Sequence, residues 1–304
     1  DINDLSSVSY IEQSWYRKSL WLWLLWPLSL LTKYISKRKR EKFISQPDSS
    51  WKANVPLIVV GNIVIGGTGK TPMVIWITKL LEKNGYKPGI VSRGYGGSSP
   101  KNPVMVNDDT SVDVSGDEPL IIYKNTQRPV CISSNRISAA DKLIRETDTN
   151  IIISDDGLQH YEMSRDLEIV VFDGNRGIGN GLCLPAGPLR ESLERLDDAD
   201  FVVSSSRMTN IKTKHRNYLM NYRPIEWARI ADNKRFPADS WPLSRNVHAV
   251  AGIGNPAKFY KTLINLGLNP IQHSFPDHYQ FKEEDLDFGD CLLYTSPSPR
   301  DNTG

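Results

Sequence analysis

One stretch of this chain combines glycine, lysine and threonine at a spacing suited to binding phosphate. Gly66, Gly67 and Gly69 lead directly into Lys70 and Thr71. Glycines lack a Cβ atom, so several backbone N–H groups can turn toward one anion, and a lysine can reach terminal phosphates as a point charge. A threonine hydroxyl at the end of such a loop is a typical Mg²⁺ ligand. The spacing therefore predicts a loop that binds a nucleoside polyphosphate.

A strand must precede this loop and a helix must follow it, and the sequence predicts both. The apolar run from Leu57 to Val60 predicts a buried strand, and residues Met73 to Lys83 have helical periodicity. The new helix would add its positive N-terminal end to the anion site. The predicted nucleotide contacts are Val64, Ile65, Gly66, Gly67, Thr68, Gly69, Lys70 and Thr71. A plain glycine-rich turn is the alternative, and Val64 stands where the usual motif has glycine.

A pair of adjacent acids follows a second apolar run. Residues Asn150 to Ser154 predict a strand that ends in Asp155 and Asp156. Two neighbouring carboxylates are unfavourable without a cation, and the acid after such a strand holds Mg²⁺ in many nucleotide-binding proteins. We therefore predict that Asp155 binds the metal together with Thr71, and the alternative is a polar turn. Gln159, three residues beyond the acids, is a candidate substrate contact.

Two further loops contain candidate substrate contacts. Arg93 follows the predicted strand Lys87 to Val91, on the side of a parallel sheet where ligands bind. Asp117 and Glu118 form an acidic pair just before a predicted helix. The alternatives are a flexible turn with one exposed arginine and ordinary pairing of acids with a helix N-terminus. No role is predicted for His160.

Length and composition limit the class of protein. The 304 residues can hold one large domain or two, and short strands alternate with helical stretches from Trp51 onward, which predicts a parallel α/β fold. The 37 basic residues nearly balance the 35 acidic ones, so no nucleic-acid partner is expected. Three widely spaced cysteines argue against a disulfide framework and against a structural zinc site.

The first fifty residues differ from the rest of the chain. An uncharged run, Ser19 to Thr32, is rich in leucine and tryptophan, and it is shorter than the roughly 20 residues that span a bilayer. Tryptophan favours the headgroup region, and basic residues bind anionic lipid. The basic residues that follow are Lys33, Lys37, Arg38, Lys39, Arg40 and Lys42. We predict a helix that lies on an anionic membrane surface, and the alternative is a helix packed on its own domain.

Five motifs in combination resemble one enzyme family. In chain order they are residues 66–72 (Gly-Gly-Thr-Gly-Lys-Thr-Pro), 92–97 (Ser-Arg-Gly-Tyr-Gly-Gly), 116–119 (Gly-Asp-Glu-Pro), 155–160 (Asp-Asp-Gly-Leu-Gln-His) and 184–191 (Leu-Pro-Ala-Gly-Pro-Leu-Arg-Glu). With the tryptophan-rich N-terminus they resemble tetraacyldisaccharide 4′-kinase. The resemblance implies a P-loop kinase core, ATP and Mg²⁺, and work at the cytoplasmic face of the bacterial inner membrane. It implies an acylated disaccharide lipid substrate, phosphorylated on its 4′-hydroxyl during lipid A biosynthesis.

The resemblance also implies roles for single residues. Asp117 would be the base for the acceptor hydroxyl, and His278 of a Pro-Asp-His segment would be its partner, beside Lys70 and Asp156 in the catalytic set. No obligate protein partner is expected. The alternative function is a membrane-peripheral P-loop switch protein, although the guanine-binding motif Asn-Lys-x-Asp does not occur in the sequence.

The predicted organisation has four parts. Residues 1–50 form the interfacial helix segment, and 51–215 form the P-loop kinase core. Residues 216–290 form a linker and a smaller, incomplete C-terminal α/β domain, the polar linker region running from about 204 to 244. Residues 291–304 depart from the family pattern, and their proline and serine content predicts a disordered or foreign tail.

Overall fold

The computed structural model describes residues 11–17, 19–46, 50–206, 217–229, 232, 234–241, 244–253, 256–275, 279, 281–288 and 292–295. It divides the chain into two compact units. The first comprises residues 1–93, 99–106 and 122–221, and the second comprises residues 94–98, 107–121 and 222–304. The domain boundaries proposed from the sequence stay predictions.

An eight-stranded sheet forms the first unit. Its strands are β1 (Leu57–Gly61), β2 (Pro88–Ser92), β3 (Val104–Met105), β4 (Val130–Ile132), β5 (Ile151–Asp155), β6 (Leu167–Phe172), β7 (Phe201–Ser204) and β8 (Asn217–Leu219). Their order across the sheet is β3-β4-β2-β5-β1-β6-β7-β8. All neighbours run parallel except β3 and β4. Such a sheet is covered on both faces, which explains its continuous apolar strands.

The centre of this sheet is β1, whose five residues are all buried. Val60 pairs with Asp155 of β5 on one side and with Ile169 of β6 on the other. The carboxyl ends of β1 and β5 therefore finish side by side. Because ligands bind at the carboxyl edge of a parallel sheet, this register positions the loop after β1 next to the acids that end β5.

Seven α-helices are found among the described residues. They are α1 (residues 11–15), α2 (Trp26–Ser45), α3 (Lys70–Lys83), α4 (Val112–Ser115), α5 (Asp117–Thr126), α6 (Arg136–Glu146) and α7 (Pro256–Asn265). Helix α3 buries Met73, Val74 and Ile77 and exposes Trp76. This one-sided pattern, with 3.6-residue periodicity, is the one that predicted the helix.

The N-terminal segment packs on the rest of the first unit. The indole of Trp15 donates a hydrogen bond to the carbonyl of Pro185 (3.1 Å), and the hydroxyl of Ser29 donates one to the carbonyl of Cys183 (2.7 Å). A 3-10 helix, Leu20–Leu25, leads into α2, which is apolar in its first half and basic in its second. Among the described helices, none combines the length and the hydropathy needed to span a membrane.

The second unit contains a smaller parallel sheet in the order β12-β11-β13. Its strands are β11 (Asn246–Ala251), β12 (Asn269–Ser274) and β13 (Leu292–Thr295), and a separate hairpin is formed by β9 (Glu226–Ala228) and β10 (Arg235–Pro237). Helix α7 buries Tyr260 and Leu263 in the core of this unit. Leu268, just after α7, completes the same core.

The predicted fold class is confirmed: a parallel α/β core, a smaller α/β unit and an N-terminal helix. The structure differs from the prediction in two places. The region expected to be a linker contains β8 and the hairpin. Strand β8 pairs with β7 at the edge of the large sheet. In the hairpin, Trp227 packs on Trp241 with ring centroids 4.8 Å apart. Within the tail expected to be disordered or foreign, residues 292–295 form β13, which pairs with β11 on the side opposite β12.

Candidate active site

The predicted phosphate loop follows β1 and ends where α3 begins. Gly69 precedes α3 with a left-handed backbone (φ 92°), which glycine adopts without strain. The first N–H groups of α3, which starts at Lys70, lie at the positive end of the helix dipole, an arrangement that suits an anion. Thr68 is buried, and its hydroxyl accepts a hydrogen bond from the Asn62 amide at 3.0 Å. This bond joins the two ends of the loop.

Residues 188–190 hold the same loop from a second side. The Ile65 amide donates to the carbonyl of Pro188 at 2.9 Å, and the Arg190 amide donates to the carbonyl of Ile63 at 2.7 Å. Between these bonds, Val64 forms an antiparallel bridge with Leu189. A bridge requires extended backbone, which a β-branched residue favours. The valine at the usual glycine position is therefore explained by strand-like pairing.

The two acids at the end of β5 have different surroundings. Asp155 is buried, and its Oδ2 accepts a hydrogen bond from the Ser92 hydroxyl at 3.2 Å. Asp156 has a left-handed backbone (φ 47°), which is unfavourable for a residue with a Cβ atom. Its carboxylate lies 3.7 Å from Nζ of Lys70 and accepts hydrogen bonds from Nη1 of Arg190 at 3.0 and 3.1 Å. The structure thus brings two predicted site residues, Lys70 and Asp156, together.

A buried arginine lies behind the acids. Nη2 of Arg136 donates to the backbone carbonyls of Asp155 (2.9 Å) and Asp156 (3.0 Å). Burial lowers the pKa of Arg136 to about 10, although the two carboxylates oppose this shift. Burial alone would raise the pKa of Asp156, but the charges of Lys70, Arg190 and Arg136 outweigh it and lower that pKa. Asp156 is therefore ionised at neutral pH.

Several cations gather near the acids that end β5. The charge of Arg93 acts on Arg136, whose Nε and Nη1 are buried and hydrogen-bond to no group in the described chain. The cations whose charges act on Asp156 or Arg136 are Lys70, Arg93, Arg136 and Arg190. A cluster of cations in a partly buried site attracts a polyanion such as a nucleoside triphosphate.

Gln159 lies under the phosphate loop. Its amide donates to the carbonyl of Asn62 at 3.1 Å and to Glu191 at 3.0 Å, and Glu191 also accepts a 2.5 Å hydrogen bond from Tyr161. These bonds make Gln159 a support for the loop, and its predicted substrate contact stays a prediction. Burial and neighbouring arginines lower the pKa of His160 to about 4, so its imidazole is neutral at pH 7.

Oxygen donors suited to Mg²⁺ are present. Thr71, the second residue of α3, offers a hydroxyl, and Asp155 offers a carboxylate. Mg²⁺ prefers such hard ligands and commonly keeps several waters. No three His, Cys, Asp or Glu side chains gather into a metal-binding group in the part of the chain that the structure describes. An ion on Asp155 and Thr71 would take its other ligands from phosphate oxygens and water, so the donor chemistry fits Mg²⁺.

The remaining predicted residues are placed as follows. Arg93 follows β2 and is exposed. Asp117 and Glu118 begin α5, where Asp117 is 8% exposed and Glu118 is half-buried. His278 lies outside the described residues. The pairing of Asp117 with His278 stays a prediction.

Two cations of the site received no role from the sequence. Arg190 belongs to one of the five motifs, but its partner Asp156 is 34 positions away, and motif spacing does not reveal such a pair. The role of Arg136, in contrast, could have been suspected from its position in a helix. It lies in the first turn of α6, where a positive charge opposes the helix dipole, so a nearby acceptor had to compensate.

Comparison with known proteins identifies a single family. The family model for tetraacyldisaccharide-1-P 4′-kinase matches residues 21–292. The tetraacyldisaccharide 4′-kinase of Hahella chejuensis is 41% identical over 290 residues, which cover 94% of this chain and 85% of the relative. That of Pseudomonas putida (strain W619) is 42% identical over 279 residues, which cover 92% and 82% respectively.

A solved structure is similar along nearly its whole length. It is the crystal structure of an "apo" form of LpxK from Aquifex aeolicus in complex with ATP. The TM-score is 0.74 at 28% sequence identity, and the match covers 91% of this chain and 89% of that one. The resemblance inferred from the five motifs is thereby confirmed. The chain belongs to the tetraacyldisaccharide-1-P 4′-kinase family.

Proposed function

We propose that this chain transfers the γ-phosphate of ATP to the 4′-hydroxyl of a tetraacylated glucosamine disaccharide 1-phosphate, a step of lipid A biosynthesis. Family membership supports the reaction. The observation that carries it on this chain is the position of Lys70, at the start of α3 and 3.7 Å from Asp156 in a cation-rich site. The alternative, a switch protein, is not favoured, because the relatives are kinases.

In this proposal the chain's own groups hold and neutralise the triphosphate. Backbone N–H groups of residues 66–71 and the Lys70 ammonium bind its oxygens. Before ATP enters, Asp156 is the counter-ion of Lys70 and Arg190; the triphosphate then competes for both cations. Fixed cations stabilise the charge that spreads over the transferred phosphoryl group. Thr71 and Asp155 would hold Mg²⁺, which would neutralise part of the triphosphate charge.

A product assay tests the reaction. We expect ATP, Mg²⁺ and the disaccharide 1-phosphate lipid to give a lipid that is one phosphate heavier by mass spectrometry. Lys70→Ala should lower kcat by about 10²- to 10³-fold, because a fixed charge is lost at the transferred phosphoryl group. Lys87→Ala is the matched control. Lys87 is an exposed lysine that pairs with Asp148, and it precedes β2, at the edge of the sheet opposite the loop. Absence of the heavier lipid, or equal turnover by both variants, contradicts the assignment.

We infer that Asp117 is the general base and that His278 assists it. A sugar hydroxyl is a poor nucleophile at neutral pH, so a positioned carboxylate must accept its proton. Asp156 pairs with Lys70 and Arg190, and Asp155 is the expected Mg²⁺ ligand, whereas Asp117 begins α5 on a separate loop. The family resemblance supports both roles, and that of His278 rests on it alone.

Kinetics of four variants test this dyad. Asp117→Asn should lower kcat by about 10²- to 10⁴-fold with little change in the KM for ATP, because only the proton acceptor is lost. His278→Ala should have a smaller effect, and the double variant should lose less than the product of both. Asp113→Asn, an exposed acid on neighbouring α4, is the control. Strictly multiplicative losses, or a defect confined to ATP binding, count against the dyad.

We infer that the N-terminal segment binds the anionic surface at the cytoplasmic face of the inner membrane. The apolar half of this segment is exposed; its members include Leu20 (84%), Trp23 (63%), Leu24 (82%), Leu28 (52%) and Leu31 (53%). The basic half of α2 follows at residues 37–42. Exposed leucine and tryptophan enter the headgroup boundary, and the adjoining lysines and arginines bind anionic lipid.

Point substitutions test this surface better than a deletion, because Trp15 and Ser29 pack on the first unit. Leu20→Ser with Leu24→Ser should lower partitioning onto phosphatidylglycerol vesicles by at least about tenfold, since buried leucine contributes 1.5–3 kcal/mol. Sedimentation measures the bound fraction. Ile225→Ser is the matched control, because Ile225 is 80% exposed outside the segment. Unchanged sedimentation of the double variant would show that the segment does not bind the membrane.

A further inference from the structure

Arg176 lies against the middle of the phosphate loop. It follows β6, and its guanidinium occupies the space beside Gly66, four residues before Lys70. A Cβ added to Gly66 would collide with Nη1 of Arg176 and would stand 3.3 Å from its Cζ. The positive φ of Gly66 (105°) also favours glycine. The close approach of the guanidinium to this loop therefore depends on glycine at position 66.

Two N-terminal residues hold the guanidinium. Its Nη2 lies 3.3 Å from a carboxylate oxygen of Glu12, and its Cζ lies 4.9 Å from the ring centroid of Tyr16, a cation–π contact. The side chains of Arg176 and Glu12 are 25% and 38% exposed. Partly exposed ion pairs of this kind contribute little free energy. A more highly charged anion can therefore replace Glu12 as the partner of Arg176.

The neighbouring cations differ from Arg176 in their partners. Lys70 and Arg190 both face Asp156, a fixed carboxylate of the site itself. Arg176 instead faces an acid from α1. The phosphate loop wraps the terminal phosphates of a nucleotide, and a planar guanidinium donates two parallel hydrogen bonds to phosphate oxygens. A guanidinium that touches the loop thus has the chemistry and the location to bind a terminal phosphate.

We propose that Arg176 is a γ-phosphate ligand of this kinase, exchanging Glu12 for phosphate oxygens when ATP binds. The proposal rests on the proposed function and adds one residue to its machinery. Arg176 exchanges no atom during transfer: the acceptor oxygen bonds to the γ-phosphorus, the bond to the β–γ bridging oxygen breaks, ADP leaves, and the hydroxyl proton passes to the base. The charge of Arg176 stabilises the phosphoryl group while those bonds change.

Nucleotide binding without lipid tests the proposal. Displacement of a fluorescent nucleotide, in the presence of Mg²⁺, gives the Kd of AMP-PNP, which has a γ-phosphate, and of ADP, which lacks it. Arg176→Ala should raise the Kd of AMP-PNP by about tenfold or more, because a charged hydrogen bond is lost, and should leave that of ADP unchanged. In the product assay its kcat should fall by about 10²- to 10³-fold, as on removal of other phosphate-binding arginines.

Two further variants make the result decisive. Arg128→Ala is the matched control, because Arg128 is also 25% exposed and pairs with a single acid, Glu82; it should leave both affinities and kcat unchanged. Arg176→Lys keeps the positive charge but loses the planar group that donates two parallel hydrogen bonds, so it should recover part of the AMP-PNP affinity. It also serves as the test variant if Arg176→Ala unfolds. Equal weakening of AMP-PNP and ADP, or normal kcat in Arg176→Ala, overturns the proposal.

The proposed function can fail separately. A wild-type protein that binds both nucleotides but phosphorylates no lipid contradicts the acceptor assignment. The comparison of AMP-PNP with ADP then still decides whether Arg176 binds a γ-phosphate.

Discussion

The cations of the candidate site are held together by ion pairs with the carboxylate of Asp156. It faces Lys70 at the start of α3 and Arg190 at the end of the segment that holds the phosphate loop. Without this negative charge, both cations would lie close together beside buried Arg136. Like charges in a partly buried site are unfavourable, so the acid permits a cation-rich site to fold before nucleotide arrives. A triphosphate carries more negative charge than Asp156 and can take over the same cations.

A single loop connects this site with the N-terminal segment. Residues 183–190 accept hydrogen bonds from Ser29 and Trp15 at Cys183 and Pro185, and their last residues bind the phosphate loop and Asp156. The N-terminal segment therefore helps to position residues 183–190, which in turn contact the phosphate loop. Arg176, held by Glu12 and Tyr16, is a second connection between the same two parts. The N-terminal segment therefore contacts the loops that form the candidate site.

Structural features that depend on residues close together in the sequence were predictable. The buried run of β1, the glycines and the periodicity of α3 lie next to one another, so the strand, loop and helix were predictable. The pairs of Asp156 with Arg190 and of Gly66 with Arg176 were not, because sheet register and loop packing bring together residues far apart in sequence. Val64 was a departure from the motif until its bridge to Leu189 explained it.

A crystal structure with Mg²⁺ and AMP-PNP would show whether the triphosphate replaces Asp156 as the partner of Lys70. We expect the triphosphate to lie on the backbone N–H groups of residues 66–71, with Nζ of Lys70 on its oxygens instead of 3.7 Å from Asp156. A nucleotide bound elsewhere, for example at the Gly-Ile-Gly-Asn segment of residues 252–255, with the pair of Lys70 and Asp156 intact, would contradict it.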